Sequence, residues 1–599
     1  MNTLPRWDLS TIYPDLASAE LAADFGALEA TLEEIERHHA ESLERISNGA
    51  LPEKLARALD RAVELFNRAY LLSTTLEVYV DSFVATDSYD REAAKKQSEL
   101  EITQVRLKQG WTRFQGWIHG VAEALPPALE HAGAAQDHAF ILKEAAAQGA
   151  FLMTGKEEML AAELALSGAQ AWSKLQRTVT SQITVEIELD GAARKLPMPA
   201  LINLRSHPEE PVRRRAYEAE MREWEKVQEP LAACMNGVKG AAVTLQKRRG
   251  RSDCLHAPID QARIDRATLR ALLEAMRDSL PQFRRYFKAK AARLGKSSLA
   301  WWDIFAPAGR SGSMFTWPEA RDFILENFGG FSPDLRAYAQ RAFDGRWIDA
   351  QPRGGKRGGA FCSPVPRVKE SRILCNFDGT LDQVSTVAHE LGHGFHNDCA
   401  WRAGRTELQQ VTPMTLAETA SIMCENIVNN AVLARARNPQ EELAVLENTL
   451  TGEGQVIVDI YSRFLFEKEV MERRERSELS ADDFCEIMDH AQDAAYGDGL
   501  DARFRHRYMW TWKPHYYFAD LNFYNFPYAF GLLFGTGLYA VYRKRGREFV
   551  SDYKELLAGT GEAGAADLAA RFGIDIRSRA FWEGSIEIIR GRIDRYCAL

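Results

Sequence analysis

The 599-residue sequence has no Cys-x-x-Cys pair among its eight cysteines. This absence excludes a zinc ribbon and a thioredoxin-like redox motif, so we expect reduced thiols. No basic run is large enough to dominate the surface, and the net charge of −9 disfavours nucleic acid as a partner. The amino terminus lacks the basic and then apolar pattern of a secretory signal, which makes the cytoplasm the expected location.

Long apolar runs are also scarce. Leu521 to Tyr542 contains no charged residue, but it includes two asparagines, one proline and three glycines. Such a polar and broken pattern favours a buried helix over a lipid-facing span. We therefore predict no membrane segment and no membrane partner.

Helical periodicity is the dominant signal that is present. Apolar residues recur at three and four positions in Ala17 to His39, Glu53 to Val80 and Asp90 to Leu107, as in amphipathic helices. Strand signals are few, and Thr180 to Leu189 followed by Asp190 and Gly191 predicts a small hairpin. The sequence therefore predicts a mainly α fold.

A cluster of prolines at positions 197, 199, 208 and 211 interrupts the helical pattern. Prolines at this density mark a boundary between structural regions. We predict an amino-terminal helical lobe over residues 1–195 and a second domain over residues 196–599, which contains the motif described next.

The residues His389-Glu390-Leu391-Gly392-His393 form the pattern H-E-x-x-H. Two histidines four residues apart lie on one face of a helix, so both imidazoles reach one cation, and Glu390 lies beside them. Thr380 and Gln383 predict a capping box at the start of that helix. The pattern indicates a zinc site with a neighbouring proton carrier.

Hydrolytic zinc keeps three protein ligands and one open position, so a third ligand is expected downstream. A helix is predicted from Thr412, as cap, to Asn438, where Pro439 ends it. Glu418 lies on an otherwise apolar and small-residue face of this helix, where an unpaired carboxylate is costly. Glu418 is therefore the preferred third ligand.

Two further residues near the motif have alternative interpretations. Glu425, seven residues after Glu418, either accepts a hydrogen bond from a ligand histidine or is a solvated helix residue. His396 either supports the metal site or the substrate, or is a packed polar residue. The glycine-rich segment Gly354 to Gly359 is either a mobile loop beside the site or a surface hairpin.

These residues resemble the oligoendopeptidase F family of thimet-oligopeptidase-like zinc peptidases. The resemblance rests on the run HELGHGFH that begins at His389, on a glutamate 25 residues after His393, and on a tyrosine-rich tail. Weaker matches cover Trp7 to Ser10, Asp303 to Pro307 and Pro514 to Tyr517. The resemblance implies a mainly α, two-lobed zincin-type body with a deep substrate channel and a small β element near the active site.

The resemblance also implies roles for individual residues. One zinc ion per chain would be bound by His389, His393 and Glu418, and Glu390 would be the general base and acid. His515 and a later tyrosine would stabilise the oxyanion of the transition state. The tyrosine in this set of catalytic residues has two candidates.

Tyr528 best matches the family spacing for this tyrosine, and Tyr524 is the competing choice, because Asn525 and Phe526 stand where tyrosines often occur. The strand near Ile373 to Asn376 would pair with an extended substrate.

The predicted function is zinc-dependent hydrolysis of internal peptide bonds in short unstructured oligopeptides. A metal-activated water would attack the carbonyl with Glu390 as general base, and folded proteins would be excluded from the channel. One alternative is a catalytically idle peptide-binding protein on the same fold, which would be expected to have lost Glu390 or a ligand. The other alternative is a structural zinc site, which would favour four closed ligands that include cysteine.

Overall fold

Most of the chain folds into amphipathic helices, as the spacing of its apolar residues predicts. The computed structural model describes residues 4–189, 191–308, 314–436 and 438–599. The helices are α1 (Ala19–Glu41), α2 (Pro52–Thr86), α3 (Arg91–Gly120), α4 (Leu125–Glu130), α5 (Ala134–Asp137), α6 (Ala139–Gly149), α7 (Gly155–Ser167), α8 (Ala169–Gln182), α9 (Met198–Asn203), α10 (Glu210–Arg248), α11 (His256–Gln261), α12 (Arg266–Arg293), α13 (Trp317–Phe331), α14 (Pro333–Asp344), α15 (Leu381–Arg402), α16 (Met414–Ala417), α17 (Thr419–Arg435), α18 (Pro439–Gly454), α19 (Ile460–Arg474), α20 (Ala481–Tyr496), α21 (Met509–Trp512), α22 (Phe526–Arg545), α23 (Phe549–Ala558), α24 (Ala565–Ala570) and α25 (Arg579–Ala598).

The strands are β1 (Thr184–Leu189), β2 (Ala192–Pro197), β3 (Ile348–Asp349), β4 (Phe361–Val365) and β5 (Glu370–Leu374). The fold class is therefore mainly α, as predicted. The three helices predicted near the amino terminus correspond to α1, α2 and α3. None of the described helices combines the length and the apolar character that a membrane span requires.

The chain divides into two compact units by its internal packing. Unit 1 comprises the described residues of 1–152, 313–431 and 541–573, and unit 2 those of 153–312, 432–540 and 574–599. The domain boundary predicted after residue 195 stays a prediction.

Each unit has its own apolar core. In unit 1 the core joins α1, α2 and α3 through buried residues such as Leu28, Phe66 and Leu107. In unit 2, Trp224 of α10, Phe484 of α20 and Trp510 of α21 belong to one buried apolar cluster.

The predicted hairpin is present in unit 2, where β1 and β2 pair antiparallel from Thr184–Pro197 to Leu189–Ala192. Asp190, which the sequence places in the turn of this hairpin, lies outside the described residues. Burial explains the alternation of apolar and polar residues along β1, because Val185 and Ile187 face the core while their neighbours face outward.

Unit 1 contains a three-stranded sheet in the order β3-β5-β4. Ile373 of β5 pairs with Ile348 of β3 on one side and with Cys362 of β4 on the other. The predicted pairing of a substrate with the strand near Ile373 to Asn376 is therefore wrong for the residues of β5, because both edges of this strand are already hydrogen-bonded. In the described sheet, β4 is an edge strand, and Pro364 within it suits that position.

Candidate metal centre

Helix α15 positions the H-E-x-x-H residues. Thr380 caps the helix, and its side-chain oxygen accepts a hydrogen bond from the Gln383 backbone N–H at 3.4 Å. The reciprocal bond of the predicted capping box is replaced by Asp378, whose carboxylate accepts from the Thr380 N–H at 2.9 Å. The cap residue and its bond from Gln383 were therefore predicted correctly, and the reciprocal bond to the Gln383 side chain was not. The same helix packs against β4 and β5, which buries its apolar face.

The two histidines and Glu418 converge in unit 1. One ligand atom of each residue lies within 4.8 Å of the others. The Nε2 atoms of His389 and His393 lie 3.2 Å and 3.4 Å from the same Oε2 atom of Glu418. Ligands at about 2.0–2.1 Å from zinc in a tetrahedron are about 3.3 Å apart. The observed separations of the donor atoms therefore fit a zinc ion.

Glu418 lies at a break between two helices. The structure has the short helix α16, then Glu418, then α17, and this differs from the single helix with a Thr412 cap that the sequence predicts. Hydroxyl groups replace main-chain bonds at the break, since Thr419 donates to the Leu416 carbonyl at 2.7 Å. Ser421 donates to the Glu418 side chain at 2.7 Å, which orients the carboxylate.

Gly392, between the two ligand histidines, allows this segment to approach α15. A Cβ atom at Gly392 would lie 2.6 Å from the Ala420 carbonyl oxygen and 2.6 Å from the Ser421 Cα atom. Real Cβ atoms do not approach backbone atoms this closely. Sequence reasoning missed this role, although a glycine inside a helical pattern is a recognisable signal of close packing.

Glu425 lies beside His389, the first ligand histidine. This agrees with the interpretation in which Glu425 accepts a hydrogen bond from a ligand histidine. Its Oε2 atom lies 3.3 Å from the Nδ1 atom of His389. Burial lowers the pKa of His389, but hydrogen bonds to Glu418 and Glu425 outweigh this effect and raise that pKa well above its ordinary value. A carboxylate on the second ring nitrogen fixes the tautomer and orientation of a ligand histidine.

The protonation state of Glu418 also suits a metal ligand. Burial raises the pKa of Glu418, whereas hydrogen bonds from His389 and His393 lower it by more, so it lies well below its ordinary range. The side chain is therefore an ionised oxygen donor, which is the form that a metal ion requires.

Glu390 lies beside the group and is only 6% exposed. Its Oε2 atom is buried without a hydrogen-bond partner among the described residues. Burial raises the pKa of Glu390 above its ordinary value, and the nearby His389 and His393 oppose the increase. A buried carboxylate oxygen with no partner is costly, and it is suited to accept a proton from a water molecule or a substrate.

His396 does not join the metal group. Its Nε2 atom lies 2.9 Å from the Thr560 hydroxyl and 3.1 Å from the Leu557 carbonyl oxygen, and the ring is buried. Burial, with a contribution from His393, lowers the pKa of His396 to about 4. Of the two interpretations offered by the sequence, the packed polar residue is the one that the structure supports.

The glycine-rich segment is hydrogen-bonded to its surroundings in unit 1. The Arg357 N–H donates to the Ala85 carbonyl at 2.7 Å, at the carboxyl-terminal end of α2. Lys356 forms a fully buried ion pair with Asp349 at 2.7 Å and donates to the Cys375 carbonyl at 2.6 Å. Movement of this segment as a lid would have to break a buried ion pair.

The predicted oxyanion residues form a ring cluster in unit 2. The rings of His515 and Tyr524 are stacked with centroids 5.1 Å apart, and Tyr528 contacts both rings at 6.3 Å and 5.2 Å. Burial lowers the pKa of His515 to about 4, and the positive charges of Arg463 and Lys513 contribute. The imidazole is therefore neutral at pH 7 and keeps one N–H donor. The choice between the two tyrosines stays open.

A buried polar network holds the segment that carries Tyr524. Lys239 and Glu467 form an ion pair at 2.6 Å, and both side chains are 1% exposed. Glu467 also accepts from the Phe523 N–H at 3.0 Å and from the Asn525 side chain at 2.8 Å. Asn522 accepts from Lys239 at 2.9 Å. The two asparagines therefore have a structural role that the sequence did not reveal.

Residues 331–588 match Peptidase family M3. The chain is 26% identical over 323 residues to "Oligoendopeptidase F, plasmid" of Lactococcus lactis subsp. cremoris, which covers 54% of this chain and 53% of that protein. It is 24% identical to "Group B oligopeptidase PepB" of Streptococcus agalactiae over 74% of this chain and 73% of that protein. The match thus spans about half the length of the lactococcal relative.

The fold is shared with solved structures. An oligoendopeptidase F from Enterococcus faecium aligns with a TM-score of 0.70 at 17% identity, over 96% of this chain and 98% of that one. PZ peptidase A with an inhibitor aligns with a TM-score of 0.70 at 15% identity, over 95% and 97%. Together these matches confirm the resemblance to the oligoendopeptidase F family and the mainly α fold.

Proposed function

We propose that this chain, which carries a Peptidase family M3 domain over residues 331–588, is a zinc-dependent endopeptidase that cleaves internal bonds of short, unstructured peptides. The observation that carries the proposal is the convergence of His389, His393 and Glu418 within 4.8 Å, with the buried carboxylate of Glu390 beside them. Two imidazoles and one carboxylate form the donor set of hydrolytic zinc, which keeps one position open.

The metal would be held by His389, His393 and Glu418, with Glu425 orienting His389. A zinc ion bound there would act as a Lewis acid on the scissile carbonyl and lower the pKa of water to around 7. These residues support that chemistry because Glu418 is ionised and Ser421 orients it.

Glu390 moves the proton in this proposal. Its Oε2 atom has no hydrogen-bond partner among the described residues, so it is able to accept a proton from the attacking water. The same carboxyl group then returns the proton to the leaving amine nitrogen, which makes Glu390 first a general base and then a general acid.

His515 and Tyr528 are assigned to the stabilisation of the oxyanion, with Tyr524 as the competing tyrosine. Support comes from the contact of all three rings within unit 2 and from the neutral imidazole of His515, which retains a donor. A phenol hydroxyl and an imidazole N–H are both suitable donors to a developing negative charge.

The substrate is proposed to bind as an extended strand at β4. This strand lies at the edge of the described sheet and packs against α15, which carries the histidines. An edge strand offers backbone donors and acceptors to a single extended chain and not to a folded surface. Short peptides are therefore the substrates that this arrangement favours, and folded proteins are excluded.

The experiment measures zinc content and peptide cleavage together in the wild type and in Glu390→Gln. A peptide library graded in length is digested with and without a chelator and read by mass spectrometry. We expect internal cleavage by the wild type that the chelator abolishes, and a variant with normal zinc content and nearly no turnover. A variant with near-normal turnover would contradict the role of Glu390, and cleavage unaffected by the chelator would contradict the metal mechanism.

Size selection is tested with one cleavable sequence, presented as a free peptide and then within a stable folded domain. The free peptide should be cut and the embedded sequence should not. Equal rates would exclude strand addition at β4 as the way in which substrates bind.

A further inference from the structure

The segment of residues 522–525 leads into α22 and has one side chain that differs from the rest in burial. Asn522, Phe523 and Asn525 are buried, whereas Tyr524 between them is only half-buried. The Tyr524 ring packs instead against the ring of His515. The buried residues therefore anchor the segment, and the tyrosine is the side chain that it presents to the ring cluster.

Phe523 has a backbone conformation that requires support. Its φ angle is 55°, in the left-handed region that bulky residues rarely adopt. Such a conformation is costly and persists only where the surrounding structure holds it. Because this backbone angle sets the direction of the next residue, the groups that hold Phe523 also direct Tyr524.

Glu467 of α19 is one of these groups, and both of its carboxylate oxygens are used. Oε1 accepts from the Phe523 N–H at 3.0 Å, and Oε2 accepts from the Asn525 side chain at 2.8 Å. The Asn525 side-chain oxygen in turn accepts from the N–H of Phe526, the first residue of α22, at 2.6 Å. One carboxylate therefore holds the left-handed turn and the start of the helix that carries Tyr528.

Lys239 of α10 completes the arrangement from the other side. Its ammonium donates to Glu467 Oε1 at 2.6 Å and to the Asn522 side-chain oxygen at 2.9 Å. A buried ion pair is often no more stabilising than apolar side chains of similar volume. What this pair supplies is a defined set of hydrogen bonds to the residues on both sides of Tyr524.

We propose that Lys239 and Glu467 are positioning residues for the oxyanion donors, because they fix the direction of Tyr524 and the start of the helix that carries Tyr528. This inference rests on the proposed role of His515 and one of these tyrosines. A hydroxyl displaced by about 1 Å loses about 10²-fold in turnover. The loss should appear in kcat and much less in KM, since the hydroxyl acts on the transition state.

The first test is steady-state peptide cleavage by full-length, zinc-loaded protein. Lys239→Met leaves the carboxylate of Glu467 buried without its counter-charge, which also lowers stability. The double variant Lys239→Met/Glu467→Met removes both charges together and avoids that cost. We expect kcat of the folded double variant to be about 10²-fold below the wild type, with KM within about threefold. A kcat within about twofold of the wild type would overturn the proposal.

The second test asks whether the pair acts through the tyrosines. In a Tyr524→Phe/Tyr528→Phe background, Lys239→Met/Glu467→Met should lower kcat further by less than about twofold, because residues that act together are not additive. An undiminished further loss would overturn the proposal. Lys290→Met is the matched control, since Lys290 forms another buried lysine–glutamate pair of unit 2, with Glu447, and also donates to the Ile304 carbonyl. This control should keep kcat, and a similar loss would reduce the pair to a general structural role.

A readout without turnover separates this inference from the proposed function. In protein with ¹³C-labelled histidine, the ring C–H signal of His515 is assigned by its loss in His515→Gln. The stacked Tyr524 ring should shift this signal upfield, and Tyr524→Leu gives its position without that ring. We expect Lys239→Met/Glu467→Met to move the signal towards that position and Lys290→Met to leave it unchanged. Inactive wild-type protein would contradict the proposed function alone, whereas an unmoved signal in the double variant would overturn the positioning role.

Discussion

Substitution of Gly392 by alanine should separate the third metal ligand from the two histidines. The added Cβ atom would lie 2.6 Å from two backbone atoms, the Ala420 oxygen and the Ser421 Cα atom, whereas ordinary contacts begin at 3.4 Å. The backbone at positions 420 and 421 must therefore move by about 0.8 Å. Because this backbone follows Glu418 directly, the carboxylate moves with it.

The expected loss of zinc affinity follows from how little the ligand distances in a zinc site can vary. Ligand distances in zinc sites stay within about 0.2 Å of their normal values, so a displacement four times larger disrupts the geometry. We expect Gly392→Ala to weaken zinc affinity by at least about tenfold. Overpacking should also cost about 1–3 kcal/mol of stability, against a gain of about 1 kcal/mol in helix propensity.

The assay is competition for zinc with a chromophoric chelator, accompanied by thermal unfolding. Gly26→Ala is the matched control, because Gly26 lies within α1 and no atom would lie within 4 Å of its added Cβ. The control should keep wild-type zinc affinity. A zinc affinity of Gly392→Ala within about twofold of the wild type would refute the argument that close packing at this glycine positions Glu418.

The remaining predictions concern single residues of the two clusters. Glu418→Ala should lose metal affinity, and a stoichiometric, tightly bound zinc in this variant would identify another ligand such as Glu425. Glu425→Gln should weaken zinc binding by about 10–100-fold, measured by the same chelator competition, because it supports the orientation of His389. Tyr528→Phe should lower kcat by about 10²-fold with a smaller change in substrate affinity. Tyr524→Phe is its control, and the reverse pattern in steady-state kinetics would assign the oxyanion role to Tyr524.

Local patterns in the sequence were sufficient to predict the features that depend on a single helix. The spacing of His389 and His393 places both rings on one face of α15 wherever that helix lies in the fold, because helix geometry repeats every 3.6 residues. The same periodicity predicted α1, α2 and α3. Glu418 was identified by the cost of a carboxylate on an apolar face, which is also a local argument.

Features that depend on distant segments could not be read from the sequence. β5 looks like a possible edge strand until the two-residue strand β3 pairs with it, and this pairing joins residues about 25 positions apart. His396 has the spacing of a metal-site residue, yet its ring is bonded to the chain at Leu557 and Thr560. These contacts are set by how elements pack, which a local pattern does not encode.

The sequence by itself determined the chemistry of the site: two histidines, a glutamate between them and a third ligand downstream. The tertiary structure decided how closely those donors approach one another, since the approach depends on the space at Gly392 and on the helix break at Glu418. It also decided that Asn522 and Asn525 bind the buried pair of Lys239 and Glu467. The physical reason is that helix propensity acts over a few residues, whereas backbone contact and burial of charge are properties of the packed chain.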